Sequence, residues 1–254
     1  MPRHDRDAGG PAALLAAKAV LRERVWEAMA VKGINRFPGP DNRIPNFVGA
    51  ERAAQLLAET EEWQAARTVK SNPDSPQLPV RVRALKDGKL VYMAVPRLAE
   101  ADPFFVLDPD QLADPPARAA SIKHAARSAR TIDFEAMTPV DLVVTGCVAV
   151  GEDGARLGKG GGFSDLEFAL AAAAGLVDDH TMVVTTVHDV QVQPEGSIPV
   201  VAHDMHVDLI ATPTRVLRAP RRAGDEMPTL DWADLTDEKI AAIPVLGRLR
   251  ADRS

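Results

Sequence analysis

Residues 156–165 read Arg-Leu-Gly-Lys-Gly-Gly-Gly-Phe-Ser-Asp, the densest concentration of potential chemistry in the chain. Four glycines, Gly158, Gly160, Gly161 and Gly162, stand within five positions, and Arg156 and Lys159 flank them. Glycines let successive backbone N–H groups converge on one point, which suits a phosphate. An apolar run over 141–150 precedes the loop and a helix-like run over 166–176 follows it. Strand, glycine loop and helix start together make an anion cradle, because the helix N-terminus adds partial positive charge. Arg156 and Lys159 would add full charges. The loop is not a P-loop, since Gly-x4-Gly-Lys-Ser/Thr is absent. It is not a dinucleotide fingerprint either, since no acidic partner follows on a second strand. The plainer alternative is a glycine-rich left-handed turn between strand and helix.

The elements that must hold this loop are legible in outline. Residues 12–32 read as a helix with Leu14, Leu15, Leu21, Val25 and Met29 on one face, stopped by Gly33. Lys18 and Arg22 are four apart and share a face, as a solvated stripe or as a phosphate clamp. Residues 36–48 carry three prolines and form a loop, and 49–67 are helical. Residues 68–95 read as strand-rich, with 80–85 and 90–95 paired as a hairpin around Lys86-Asp87-Gly88-Lys89. Residues 70–77 form a polar, proline-broken loop, and 96–116 are irregular. Strands at 141–150, 182–187 and 207–212 alternate with a helix at 164–175, for which Ser164 or Asp165 is the expected N-cap. Buried β-branched runs separated by helix imply a mostly parallel sheet covered on both faces, a three-layer α/β/α fold. The expected organisation is a flexible terminus over 1–10, an α/β domain over 11–219, and an extension over 220–254 with one short helix near 236–243.

Composition narrows the function classes. The 254 residues are 46% apolar but only 4% aromatic, so the core must come from Ala, Val and Leu. A net charge of −6 argues against a general nucleic-acid surface or an anionic membrane surface. No apolar run reaches the roughly 18 residues needed to span a bilayer. The single Cys147 sits in an apolar strand, which fits a buried thiol in a reducing cytoplasm. Trp26, Trp63 and Trp232 read as packing anchors. Nothing in the sequence sets an oligomeric state.

Several other polar residues invite a functional reading. His203 and His206 are three apart, but no Cys or carboxylate cluster completes a zinc set beside them. Together with His188-Asp189 they read as hydrogen-bonding groups of loops at the sheet edge. Asn46, Lys70, Asn72 and Gln77 are candidates to line a small-molecule pocket, or else to stabilise turns around prolines.

The loop resembles the signature of the 5-formyltetrahydrofolate cyclo-ligase family, roughly Arg-Leu-Gly-x-Gly-x-Gly-Tyr-Tyr-Asp. Two further matches hold the same order: Lys18-Ala-Val-Leu-Arg22, and His203-Asp204 followed by an apolar strand ending at Thr212. Residues 42–47, 69–74, 79–81 and 188–191 are most similar to the branch of methenyltetrahydrofolate synthase domain-containing proteins. Some animal members of that branch add an RNA-recognition domain; the segment has no counterpart here, and RNA binding is not carried over.

The resemblance implies a fold of the cyclo-ligase type and chemistry that needs ATP and magnesium. ATP phosphorylates the formyl oxygen of 5-formyltetrahydrofolate, the second folate nitrogen attacks, and phosphate leaves as 5,10-methenyltetrahydrofolate forms. Lys18 and Arg22 would grip the outer phosphates. Arg156 and Lys159 would neutralise the transferring group, while the amides of Gly158, Gly160, Gly161 and Gly162, with Phe163 and Ser164, would cradle the nucleotide. Asp165 would hold Mg2+, and His203 and Asp204 join the candidates for substrate contact. The departures fall mainly on the folate side. Tyr-Tyr-Asp is Phe163-Ser164-Asp165, Pro-Gly is Gly146-Cys147, and Phe-Asp before the loop is Val150-Gly151. The 72–77 loop replaces an early acidic residue, and Leu166 replaces a basic one. The expected function is therefore an ATP- and Mg-dependent cyclo-ligase-like enzyme. A paralogous activity on another, thiamine-related heterocycle is the alternative, as is a non-catalytic nucleotide- or folate-binding module.

Overall fold

The structure is a computed structural model that describes residues 10–201, 204–221, 228–230 and 232–252. Of the expected flexible terminus at 1–10, residues 1–9 lie outside the described residues. In chain order the helices are α1 (Pro11–Val31), α2 (Ala50–Ala58), α3 (Glu61–Ala65), α4 (Leu78–Lys86), α5 (Pro116–Ala119), α6 (Ile122–Ser128), α7 (Phe163–Ala173), α8 (Asp237–Ala242) and α9 (Pro244–Asp252). The strands are β1 (Thr68–Ser71), β2 (Leu90–Ala94), β3 (Phe104–Leu107), β4 (Thr131–Ile132), β5 (Leu142–Thr145), β6 (Ala149–Gly151), β7 (Arg156–Leu157), β8 (Met182–Thr186), β9 (Val192–Gln193), β10 (Leu209–Ala211) and β11 (Val216–Arg218).

Eight strands form the main sheet in the order β11-β10-β8-β5-β1-β2-β3-β4. The five central strands, β10 to β2, are parallel, and the flanking pairs are antiparallel. Strand alternation divides the core into two layers. Val143, Val183 and Ile210 face α7, α8 and α9, whereas Leu142, Val144, Val184 and Leu209 face α2 and α4. This is the period-2 signature of strands buried on both faces, and the fold is the expected three-layer α/β/α type. A second sheet, β7-β6-β9, carries α1 through Leu21, Val25, Trp26 and Met29, which pack on Phe47, Val148 and Leu157.

Several elements differ from the sequence reading. Residues 80–85 are not a strand but belong to helix α4. Val80, Arg81, Ala84 and Leu85 are its buried positions, spaced for one helical face. The supposed hairpin turn is a helix stop: Lys89 N–H bonds Ala84 O at 2.9 Å and Gly88 N–H bonds Leu85 O at 3.2 Å. This Schellman pattern needs a left-handed residue, and Gly88 supplies it with φ 76°. Residues 49–67 form two helices rather than one, because Thr60 caps α3 by accepting from Trp63 N–H at 3.3 Å. The run at 141–150 breaks at Gly146, where β5 ends together with its neighbour β1 and the chain crosses into the second sheet. The segment at 96–116, read as irregular, contains β3. The N-cap of α7 is Gly162, not Ser164 or Asp165.

Beyond residue 228 the chain has two helices, not one. Ile240, Ile243, Val245 and Leu246 join the same core cluster as Leu166, Phe168 and Leu170 of α7. Leu246 is fully buried. Leu246→Ala should therefore lower stability in urea unfolding by about 2–5 kcal/mol, the cost of a buried cavity. A loss below about 0.5 kcal/mol, the range of surface substitutions, would show that α9 does not pack into this core.

Candidate functional site

The parallel strands set where a ligand can bind. From β1 the sheet grows through β2 in one direction, and from β5 it grows through β8 in the other. The carboxyl ends of β1 and β5 therefore frame the topological switch point, where a crevice opens in an open α/β sheet. Asn72, Pro73, Asp74 and Ser75 follow β1 directly and line a cleft of about 1110 Å³. Its opposite wall is the glycine loop, residues 156–167. Among the described residues, seven cationic side chains and five carboxylates line this cleft, in a chain whose net charge is −6.

Arg156 is the central cation. It is 4% exposed, and its Nε donates to Gly146 O at 3.2 Å where β5 ends. Its Nη1 donates to both Asp165 carboxylate oxygens, at 3.0 and 3.2 Å. Burial alone would push the Asp165 carboxyl up, but the Arg156 guanidinium and the Met205 N–H hold it below the usual range. Arg156 is held above its usual range by Asp165 in spite of burial. The loop wraps closely around this side chain: a Cβ on Gly158 would stand 3.0 Å from Arg156 Nη2. Gly162 has φ 63° and leaves the first amides of α7 without a side-chain cap. Amides so placed suit an anion.

Helix α1 supplies two more cations. Lys18 and Arg22 fall on the stripe that also carries Leu21, Val25 and Met29, so they face inward rather than forming a solvated stripe. Lys18 Nζ pairs with Asp204 Oδ2 at 2.5 Å, and Val201 N–H donates to the same oxygen. Arg22 Nε donates to Gly158 O at 2.7 Å. Burial lowers the Arg22 pKa, Asp204 opposes that shift, and Arg156 adds to it. Leu15, expected on the apolar face, is 63% exposed. Lys159 stands half-exposed across the cleft, 3.5 Å from Asp74 Oδ1.

The expected substrate residues scatter. Asn72 lines the cleft, and its Oδ1 accepts from Gly146 N–H at 3.2 Å, tying β1's end to β5's. Asp204 lines the cleft as the partner of Lys18. Asn46 does not: it bonds Phe37 O and Phe47 N–H within its own loop. Gln77 is fully buried and donates to Thr186 O. Lys70 is buried and does not itself line the cleft, but it pairs with Glu167 of α7, which does. His203 lies outside the described residues. His188 Nδ1 accepts from Val190 N–H and His206 bonds Ala219 O, both of them loop contacts. No cluster of three His, Cys, Asp or Glu side chains occurs among the described residues.

Several charged cleft residues were not among the sequence candidates, including Asp41, Arg43, Arg97 and Lys239. Arg97 is exposed in the cleft wall and has a left-handed backbone, φ 63°, followed by Leu98 at φ 52°. Lys239 reaches the cleft from α8. No local motif marks either. Arg81 plays an indirect part: buried, it donates to the carbonyls of Asn72, Pro73, Asp74 and Ala120 and so fixes the 72–74 wall. Burial pushes its pKa down to about 10, with Asp74 opposing.

The fold is an open α/β sheet with a cationic glycine loop at its switch point. The chain belongs to the 5-formyltetrahydrofolate cyclo-ligase family, which it matches over residues 14–213. The methenyltetrahydrofolate synthase domain-containing protein of Mus musculus is 38% identical over 240 residues, 92% of this chain and 63% of the relative. The chain thus spans less than two thirds of that curated relative's length. The mitochondrial 5-formyltetrahydrofolate cyclo-ligase of Arabidopsis thaliana is 32% identical over 96 residues, 37% of this chain and 35% of that protein. The solution structure of the Aquifex aeolicus 5,10-methenyltetrahydrofolate synthetase shares the fold, with a TM-score of 0.51 at 19% identity, covering 85% of this chain and 97% of that one. Among the described residues no helix is long and apolar enough to cross a membrane.

The Lys70–Glu167 pair generates a test. Burial raises the Glu167 carboxyl above its usual 4.5, and Lys70 opposes this. Lys70→Met strands that carboxyl and should cost about 3–5 kcal/mol at neutral pH. A carboxyl with a raised folded pKa loses stability as pH rises from its unfolded value toward its folded one. The deficit should therefore be larger at about pH 8 than at about pH 5 in urea titrations. A small, pH-independent deficit would contradict the buried pairing.

Proposed function

We propose that this protein is an ATP- and Mg2+-dependent cyclo-ligase that converts 5-formyltetrahydrofolate to 5,10-methenyltetrahydrofolate. The observation that carries this reading is the convergence of Lys18, Arg22, Arg156 and Lys159 on one glycine loop at the sheet's switch point. Family membership and the likeness to a cyclo-ligase of Arabidopsis thaliana support the folate half. The single cysteine, Cys147, is a buried free thiol, and this supports a cytoplasmic setting.

Phosphoryl transfer needs positioning and charge neutralisation more than covalent help from the protein. Arg156, held rigidly by Gly146 O and Asp165, is preorganised to meet developing charge. Such fixed donors need not reorganise during the reaction. Lys159 is mobile by comparison, since Asp74 is its only ionic partner among the described residues, at 3.5 Å. It can swing from Asp74 to a phosphate oxygen. Lys18 and Arg22 hold the far side of the phosphates from α1. Asp204 and Asp165 hold Lys18 and Arg156 in place when the cleft is free of phosphate.

The donor set suits Mg2+. Asp165 and Asp74 face the cleft from opposite walls, and Mg2+ is commonly held by one or two carboxylates together with phosphate oxygens and water. Asp165 Oδ2 accepts a single bond, at 3.2 Å, and keeps lone-pair capacity. When bound, the ion would screen the phosphate oxygens from one another.

Lys159→Ala should weaken ATP binding in calorimetry by about tenfold, the effect of one charge-assisted contact. Its half-exposed side chain predicts an unfolding temperature close to that of the natural protein. Unchanged ATP affinity would overturn the cradle assignment. Incubation with ATP, Mg2+ and 5-formyltetrahydrofolate should raise the methenyl absorbance. ATP binding without that product, even at high protein concentration, would overturn the folate half alone.

A further inference from the structure

The family match ends at residue 213, whereas the likeness to the Mus musculus relative covers 92% of the chain and so must extend past it. The C-terminal segment is built into the cleft. Thr229, Leu230, Leu235 and Lys239 line it, and α8 and α9 are anchored beneath by Ile240, Ile243 and Leu246.

Lys239 occupies an electrostatically unusual place. Its Nζ lies 5.8 Å from the centroid of the Phe163 ring, and 3.3 Å from where a Cβ on Gly162 would stand. Gly162 is the N-cap of α7, whose first amides are uncapped. A cation beside a helix N-terminus is repelled by the helix dipole. No carboxylate within ion-pair distance compensates Lys239 among the described residues. Arg22, Arg156 and Lys159 ring the same loop. A set of cations around uncapped amides, with fewer carboxylates than cations among the described residues, becomes favourable when a multiply charged anion lies between them. The Phe163 ring, which stands where the family signature has tyrosine, lies beneath the Lys239 ammonium.

We infer that Lys239 is a phosphate ligand of the cleft, so that the segment beyond the family domain completes the nucleoside triphosphate site. This rests on the nucleotide reading of the cleft given above. It makes Lys239 a binding residue supplied from outside the matched domain.

Two substitutions separate charge from packing: Lys239→Met keeps an unbranched stem over Phe163, and Lys239→Arg keeps the charge. Calorimetric titration with ATP and Mg2+ on the full chain, beside Lys159→Ala, tests the inference. Lys239→Met should bind ATP about tenfold more weakly, as expected for loss of one charge-assisted contact. Lys239→Arg should restore most of the affinity, and both should melt as the natural protein does without ligand. Wild-type affinity in Lys239→Met, with Lys159→Ala weakened, overturns the assignment of Lys239 and leaves the cleft reading intact. Equal weakening in the Met and Arg variants also overturns it, since a packing role would then be at work. No ATP binding by the natural protein overturns the cleft reading itself, and the role of Lys239 with it.

Discussion

The guanidinium of Arg156 is almost wholly buried, and Asp165 stands against it. Each partner favours the charged form of the other: burial opposes both charges, and their proximity outweighs it. The pair spans three elements. Gly146 ends β5, Arg156 lies on β7, and Asp165 is in the first turn of α7. A buried ion pair is weak evidence for stability, since desolvation consumes much of its attraction. What it provides here is position. The glycine loop between the two residues is tethered at both ends, and its amides are presented to the cleft in one arrangement. The remaining cations act on that frame: Arg22 grips Gly158 O from α1, and Lys18 is held at the rim by Asp204.

This arrangement explains why so much of the site was legible. Glycine, arginine and lysine at residues 156–162 carry their chemistry in local spacing, and the four-residue step from Lys18 to Arg22 is a property of one helix. Such features survive whatever the rest of the chain does. The candidates whose surroundings were not legible are those with distant partners. Lys70, a candidate for a pocket or a turn, is buried against Glu167 on another element. Gln77 and Asn46 serve carbonyls and amides of their own surroundings. The left-handed backbone at Arg97 and the approach of Lys239 to Gly162 have no local signature at all.

The fold followed the same division. Continuous apolar, largely β-branched runs at β5, β8 and β10, separated by helix, pointed to the three layers directly. Residues 80–85 misled because Asp87-Gly88 reads equally as a hairpin turn and as a Schellman stop. Only the pairing of Lys89 N–H with Ala84 O decides between them. Helix α9 was missed because its apolar residues gain meaning only against α7 and the sheet.

The central claim is that the glycine loop tethered by Arg156 and Asp165 receives the phosphates of ATP. Amide hydrogen exchange of the full chain, with and without Mg2+ and a non-hydrolysable ATP analogue, tests it most directly. The account predicts slowed exchange concentrated in residues 158–165, with the remote antiparallel edge at β3 and β4 unchanged. Saturating analogue that leaves exchange in 158–165 unaltered, while protecting amides elsewhere, would contradict it.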